Sequence, residues 1–180
     1  MKFSTWKTIT LGTGLKTGDD FINALKLAGF NIGQTETENL LRGLACTVAG
    51  EEIKVALVSV SIHQLGLYDR EDNGAVRCDD LYCRARDLGL GICPAEVGPQ
   101  LRLQYPNQPR VENARLIVGM EPIITKPGPS WKREERIFTL SSNNKGLWLI
   151  TNLANPGTLF YADTDRFLFL KTRKESTVKN

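Results

Sequence analysis

The segment Ile-Lys-Val-Ala-Leu-Val-Ser-Val-Ser-Ile at residues 53–62 constrains this chain more than any other. Ile53, Val55 and Leu57 fall on one side of an extended backbone, and Ala56, Val58, Val60 and Ile62 on the other. A strand that is apolar on both faces has to be covered on both, so it belongs inside a sheet with further layers packed on each side. The chain has 180 residues, 41% of them hydrophobic, which is enough for one such core without disulfide or metal staples.

The surrounding patterns supply those layers. Residues 8–11 read as a short strand running into the glycine-rich stretch 12–18, after which Asp19, Asp20, Phe21, Ile22, Leu25 and Leu27 open a helix stopped by Gly29. Residues 30–32 are expected to be extended, and Thr35 or Thr37 to cap a second helix through Leu40, Leu41 and Leu44, with Gly43 marking its end. After the polar stretch 68–74, Cys78, Leu81, Tyr82, Ala85 and Leu88 recur at helical spacing, and residues 89–93 read as a short buried strand. Strand, helix and strand over 53–93 predict a right-handed βαβ crossover with its two strands parallel. Residues 94–113 fit two readings, because Pro94 and Pro99 can each begin a helix while Leu101, Leu103 and Tyr105 alternate as in a strand. Beyond them, strands at 115–124, 136–140, 147–151 and 166–171, separated by Pro, Gly and Asn turns, predict an antiparallel meander.

The expected fold is therefore α+β with a mixed sheet in a single domain over 1–173. A βαβ-containing part with about three helices occupies 1–105, an antiparallel part follows over 106–173, and 174–180 reads as a polar disordered tail.

Charge and cysteine content narrow the function classes. Residues 1–100 carry 10 Lys+Arg against 13 Asp+Glu, whereas residues 101–180 carry 13 against 7, so the positive charge gathers in the second half. The pI of about 8.7 stays below that of strongly basic nucleic-acid-binding domains. No apolar run approaches the roughly 20 residues that cross a bilayer, and the first residues lack the apolar segment of a secretory leader, so a cytoplasmic protein without membrane contact is expected. The four cysteines, at 46, 78, 83 and 93, are too few and too irregular for a disulfide framework and are read as thiols.

Four constellations bear on chemistry. The loop Gly12-Thr-Gly14-Leu-Lys16-Thr-Gly18, between strand and helix, offers backbone N–H groups and a helix N-terminus to an anion, with Gly12, Gly14 and Lys16 as candidate ligand-binding residues. It matches neither a Walker A loop nor GxGxxG, and Asp19 and Asp20 equally suit a plain helix cap, so no cofactor is expected.

The second constellation joins strand ends. Ligands bind beyond the carboxyl ends of parallel strands, where His63 and Cys93 would both sit, together with the glycine loop if the first strand is also parallel. Cys93 then reads as a nucleophile, His63 as its base and Glu96 as the orienting group or an acid. The alternative makes Cys93 a small buried hydrophobe and His63 a strand-end residue. Ser59 and Ser61 share the His63 face, but at about 6.7 Å between same-face neighbours they are beyond the reach of a base.

With a single histidine no multi-histidine metal site forms, and Cys78 and Cys83 point about 140° apart on a helix, one buried and one exposed. The third constellation, the carboxylates Asp69, Glu71, Asp72, Asp79 and Asp80, lacks an EF-hand order, and Asp80 with Arg84 is expected to form an i,i+4 ion pair. The fourth is the segment 126–136, where Lys126, Trp131, Lys132, Arg133 and Arg136 could stack bases and neutralise phosphates, with Glu134 and Glu135 diluting the field.

No catalytic set is complete, so the function expected is a non-catalytic binding or interaction module for a protein or small-molecule ligand. The alternatives are a thiol-dependent hydrolase or transferase using Cys93 and His63, and a nucleic-acid binder through 126–136. A homodimer through a sheet edge is a further expectation.

Overall fold

The computed structural model describes residues 3–46, 48–68, 74–111, 115–125, 134–161 and 165–172. The described elements run, in chain order, β1 (Lys7–Leu11), α1 (Gly18–Leu27), β2 (Asn31–Ile32), α2 (Thr35–Arg42) followed by a 3-10 turn (Gly43–Cys46), β3 (Ile53–Ser61) and α3 (Ile62–Leu65). They continue with β4 (Ala75–Arg77), α4 (Cys78–Asp87), β5 (Leu90–Gly91), α5 (Val97–Gln104), β6 (Arg115–Val118), β7 (Ile123–Thr125), β8 (Glu134–Asn143), β9 (Gly146–Leu153), β10 (Leu159–Tyr161) and β11 (Asp165–Lys171). This is an α+β fold built on a mixed sheet in the order β1-β3-β11-β6-β8-β9-β2, with β5 on β11, β7 on β8 and a separate β4–β10 ribbon.

The doubly apolar strand is interior, as its pattern requires: β3 lies between β1 and β11. Register assigns its two sides. Val58 and Val60 sit opposite Phe169 and Phe167, while Leu57 and Ser59 sit opposite Leu170 and Leu168. On the first side α4 covers the sheet, its Tyr82 ring edge-on to Phe169 at 6.2 Å, and Phe160 of β10 meets Phe167 at 5.1 Å. On the second side α5 lies so close to β8 that a Cβ on Gly98 would stand 2.6 Å from Phe138. Side chains from three layers thus fill one core, from Phe21 and Leu25 of α1 through Phe138 and Leu168 to Leu81 and Ala85 of α4.

Several connections differ from the sequence expectation. β1 pairs antiparallel with β3, not parallel, so the glycine loop after Leu11 lies at the Ile53 end of β3 and His63 follows the opposite end. β3 and β5 do run in the same direction, since both are antiparallel to β11, but β11 lies between them. The strand expected over 115–124 divides into β6 and β7 around Gly119–Pro122. β6, β8 and β9 form the expected antiparallel run, whereas β11 returns parallel to β6 and knits the two halves into one sheet. The second helix is capped at Gln34, not by either threonine, and Thr37 is buried.

Residues 97–104, open to two readings, form α5. Its turn onward is fastened by Arg102, a buried guanidinium that donates to Gln108 Oε1 at 2.6 Å and to the Tyr105 carbonyl, and lies 4.9 Å from the Phe30 ring centroid. Among the described residues no helix is long and apolar enough to cross a membrane.

Candidate functional site

The helix α4 separates its two faces cleanly. Cys78, Leu81, Tyr82 and Ala85 are buried, and Tyr82 fixes the helix by donating its hydroxyl to the Met120 carbonyl at 2.8 Å. Asp80, Cys83, Arg84 and Asp87 recur at i, i+3, i+4 and i+7 on the other face. That face forms one wall of a groove of about 660 Å³ whose remaining lining is Leu67, Ala75, Val76, Arg77 and Leu159.

The opposite wall follows from a two-strand alternation. Phe160 and Val76 are paired across the β4–β10 ribbon and buried, so their neighbours turn outward: Leu159 is 50% exposed and Tyr161 49%. Arg84 does not pair with Asp80. Its Nε donates to the Leu65 carbonyl at 2.8 Å, tying the helix to the end of α3. Asp80 and Asp87 are exposed and have no ion-pair partner among the described residues, while Arg77 is paired with Asp79 at 3.3 Å.

The proposed thiol site is not assembled. Cys93 is buried, its Sγ donates to the Leu168 carbonyl at 3.4 Å, and burial pushes its thiol well above the ordinary range, the opposite of an activated nucleophile. His63 is exposed on α3 and stacks on Tyr68 with ring centroids 3.9 Å apart. Glu96 belongs to neither. Fully buried, it accepts from the backbone N–H of Gly12 and of Ala49, each at 2.8 Å, and from Gln100 Nε2 at 3.0 Å. Because Gly12 and Ala49 flank the Ile53 end of β3, Glu96 and His63 are separated by the length of that strand, roughly 26 Å for its nine residues.

The glycine loop does present an N–H to a carboxylate, and the carboxylate is the chain's own. Gly12 adopts φ +70° and an added Cβ would collide with the Glu51 carbonyl, so the close approach to Glu96 depends on glycine there. The next anion position is also occupied: Asp20 accepts from the N–H groups of Lys16 and Thr17, and Thr17 Oγ1 accepts from Asp20 N, a complete capping box. Gly14 and Lys16 lie in this loop, the latter exposed, with no further polar group converging on them among the described residues.

Ser59 accepts from Arg166 Nε at 3.0 Å, and Ser61 caps α3, so both hydroxyls have structural partners. Lys126, Trp131, Lys132 and Arg133 lie outside the described residues, as do Asp69, Glu71 and Asp72. Arg136 is turned onto Glu134 at 2.8 Å. Cys78 is buried and Cys83 exposed, as the helical spacing implies. Among the described residues no group of three His, Cys, Asp or Glu is placed to hold a metal ion.

Of the candidate ligand-binding and catalytic residues, Gly12 and Glu96 are brought together, and Asp80, Cys83 and Arg84 come to line one groove. The groove was missed, although its signals were present in the outward stripe of 78–87 and in the alternation of Leu159, Phe160 and Tyr161. Compared with family models, curated proteins and solved structures, the chain matches none of the three.

Proposed function

We propose that this protein is a non-catalytic binding module whose ligand seats in the groove between α4 and the β4–β10 ribbon. The observation that carries this reading is the groove's make-up: apolar Leu67, Ala75, Val76 and Leu159 on one side, and separated polar heads on a rigid helix on the other. Apolar area with a few fixed polar groups is the usual constitution of a recognition site. The candidate nucleophile Cys93 is buried and unactivated, and Glu96 is engaged in holding loops, which leaves this arrangement without a chemical step to perform.

The test is selection of displayed random 12-residue peptides on the full chain, followed by affinity measurement on wild type and on Leu159→Glu. The exposed site of Leu159 lets this variant fold. Selected peptides should bind wild type and lose at least tenfold on the variant. Peptides unaffected by the substitution, or a selection that enriches none, would overturn the reading.

A further inference from the structure

The β4–β10 ribbon has a hydrogen-bonding parity that can be read from one contact. Cys78 N donates to the Thr158 carbonyl at 2.8 Å, in register with the pairs Arg77↔Leu159, Val76↔Phe160 and Ala75↔Tyr161. Opposite residues in an antiparallel pair alternate between exchanging hydrogen bonds and pointing them away. Val76 and Phe160 therefore bond to each other, while the backbone groups of Ala75 and Arg77 point to the outer edge of β4, and those of Leu159 and Tyr161 to the outer edge of β10. Tyr161 N agrees, since it donates outward to Asp165 Oδ2 at 3.3 Å.

At several other strand positions the outward backbone groups are met from within the chain. On β1 the Thr10 N–H and carbonyl are both bonded by the Gln104 amide, on β9 the Leu149 carbonyl accepts from Gly33 N, and on β10 Tyr161 is held by Asp165. On β4 the Arg77 carbonyl belongs to the first turn of α4, which leaves Ala75 N–H, Ala75 C=O and Arg77 N–H with no partner among the described residues. These three groups border the groove, whose lining includes three consecutive residues of β4. A cavity touching consecutive strand residues runs along the strand's edge, because successive side chains point to opposite faces.

Resting on the binding-module reading above, we propose that the occupant is an extended peptide segment of a partner protein that adds to β4 as a third strand of the ribbon. Its main chain bonds Ala75 and Arg77, an apolar side chain lies on Leu67 and Leu159, and a basic side chain reaches the carboxylates Asp80 and Asp87. Among the described lining residues those two carboxylates face Arg84 alone, since Arg77 is neutralised by Asp79, so these residues carry one negative charge in excess. Strand addition of this kind draws affinity from main-chain hydrogen bonds and specificity from alternate side chains.

Backbone bonding is testable without disturbing the fold. Arg77 has φ −70°, the value proline imposes, and its N–H takes no part in the ladder, so Arg77→Pro removes one outward donor and nothing else of the main chain. Arg77→Ala measures the loss due to the side chain. With a peptide selected on wild type, Arg77→Pro should bind roughly fivefold more weakly than Arg77→Ala, the effect of one main-chain hydrogen bond. A scan of N-methylated backbone positions in the same peptide, which needs no protein variant, should show losses of tenfold or more at every second residue.

Peptides that lose affinity on Leu159→Glu but show a flat N-methyl scan would overturn strand addition while leaving the binding module intact. Peptides indifferent to Leu159→Glu would remove the module itself. Sedimentation of the wild type should give a monomer, and a dimer abolished by Arg77→Pro would make a second copy of the chain the occupant and overturn the peptide partner.

Discussion

Gln104 stands in for a missing β-strand at Thr10: the Thr10 N–H donates to Oε1 at 2.9 Å and Nε2 donates to the Thr10 carbonyl at 2.7 Å. A primary amide has the same donor and acceptor as a peptide unit, so one side chain satisfies both groups that an edge strand would otherwise offer to a neighbouring molecule. The amide is held in place along one stripe of α5, where Gln104 Nε2 also reaches Gln100 Oε1 at 3.1 Å and Gln100 Nε2 reaches Thr13 Oγ1 at 2.7 Å and Glu96. Glu96, Gln100 and Gln104 recur every four residues, which puts all three on the face turned toward β1. Among the described residues no side chain is set in this way against the outer edge of β4.

Gln104→Leu should therefore do two things. It leaves Thr10 without both partners, costing about 1–3 kcal/mol measured by urea unfolding, and it uncovers a strand edge, so sedimentation should show concentration-dependent association absent from wild type. A variant that stays monomeric at high concentration with unchanged stability would show that the amide is incidental.

Glu96→Gln isolates the second clamp. The amide can keep its oxygen toward Gly12 and Gln100, but it then turns an NH2 toward the Ala49 N–H, donor against donor. The expected loss is about 2 kcal/mol, with hydrogen exchange at the Gly12 and Ala49 amides accelerated more than elsewhere in the chain. Uniform acceleration would mean that Glu96 supports the fold only globally.

The sequence made local burial legible and left pairing direction obscure, for physical reasons. The stripe Cys78, Leu81, Tyr82 and Ala85 and the doubly apolar β3 declare themselves because side-chain period alone decides which face is buried. The direction of β1 does not appear in its own five residues, since antiparallel and parallel pairing suit the same side chains. The helix α5 was ambiguous because its stripe Glu96, Gln100, Gln104 looks solvated until an edge strand is set against it, and Leu101, Leu103 and Tyr105 happen to alternate. The site was hidden for a related reason: Asp80, Cys83, Arg84 and Asp87 form an ordinary outward helix face, and only the three-residue β4, too short to show a period, turns that face into a groove. Cys93 and His63 do not meet although β3 and β5 run the same way, because β11 lies between those strands, Cys93 is buried against the Leu168 carbonyl and His63 stands exposed on Tyr68; only the glycine loop was misplaced by the direction of β1.

Close backbone approach gives a prediction in the core. Gly119 lies directly against the Phe169 ring, leaving no room for a methyl group. Gly119→Ala should cost about 1–3 kcal/mol through overpacking. In a Phe169→Leu background the same substitution should cost less, because the outer ring atoms it meets are gone, and the double-mutant cycle measures the coupling. Additive effects would place the strain in the backbone at 119 instead of in the contact.

Buried thiols make the fold sensitive to alkali. Burial pushes the Cys78 thiol up to about 12 and raises that of Cys93 as well. A thiol in the unfolded chain ionises near pH 8.5, so below that value both states hold the proton and stability is unaffected. Above it the unfolded chain releases protons that the folded chain keeps, and stability falls with rising pH by about 1.4 kcal/mol per unit for each buried thiol. The urea midpoint, measured under reducing conditions between about pH 8.5 and 10, where free tyrosine begins to titrate and buried Tyr82 adds to the trend, should therefore drop steadily. In Cys93→Ala the slope should be about half that of wild type, whatever the offset from the lost packing. Iodoacetamide at pH 8 should modify Cys83 and spare Cys78 and Cys93 until denaturant is added, since only Cys83 of the three is exposed. A flat pH profile, or labelling of Cys93 in the folded chain, would mean that the seam between β11 and β6 opens to solvent, and would return Cys93 to consideration as a reactive group.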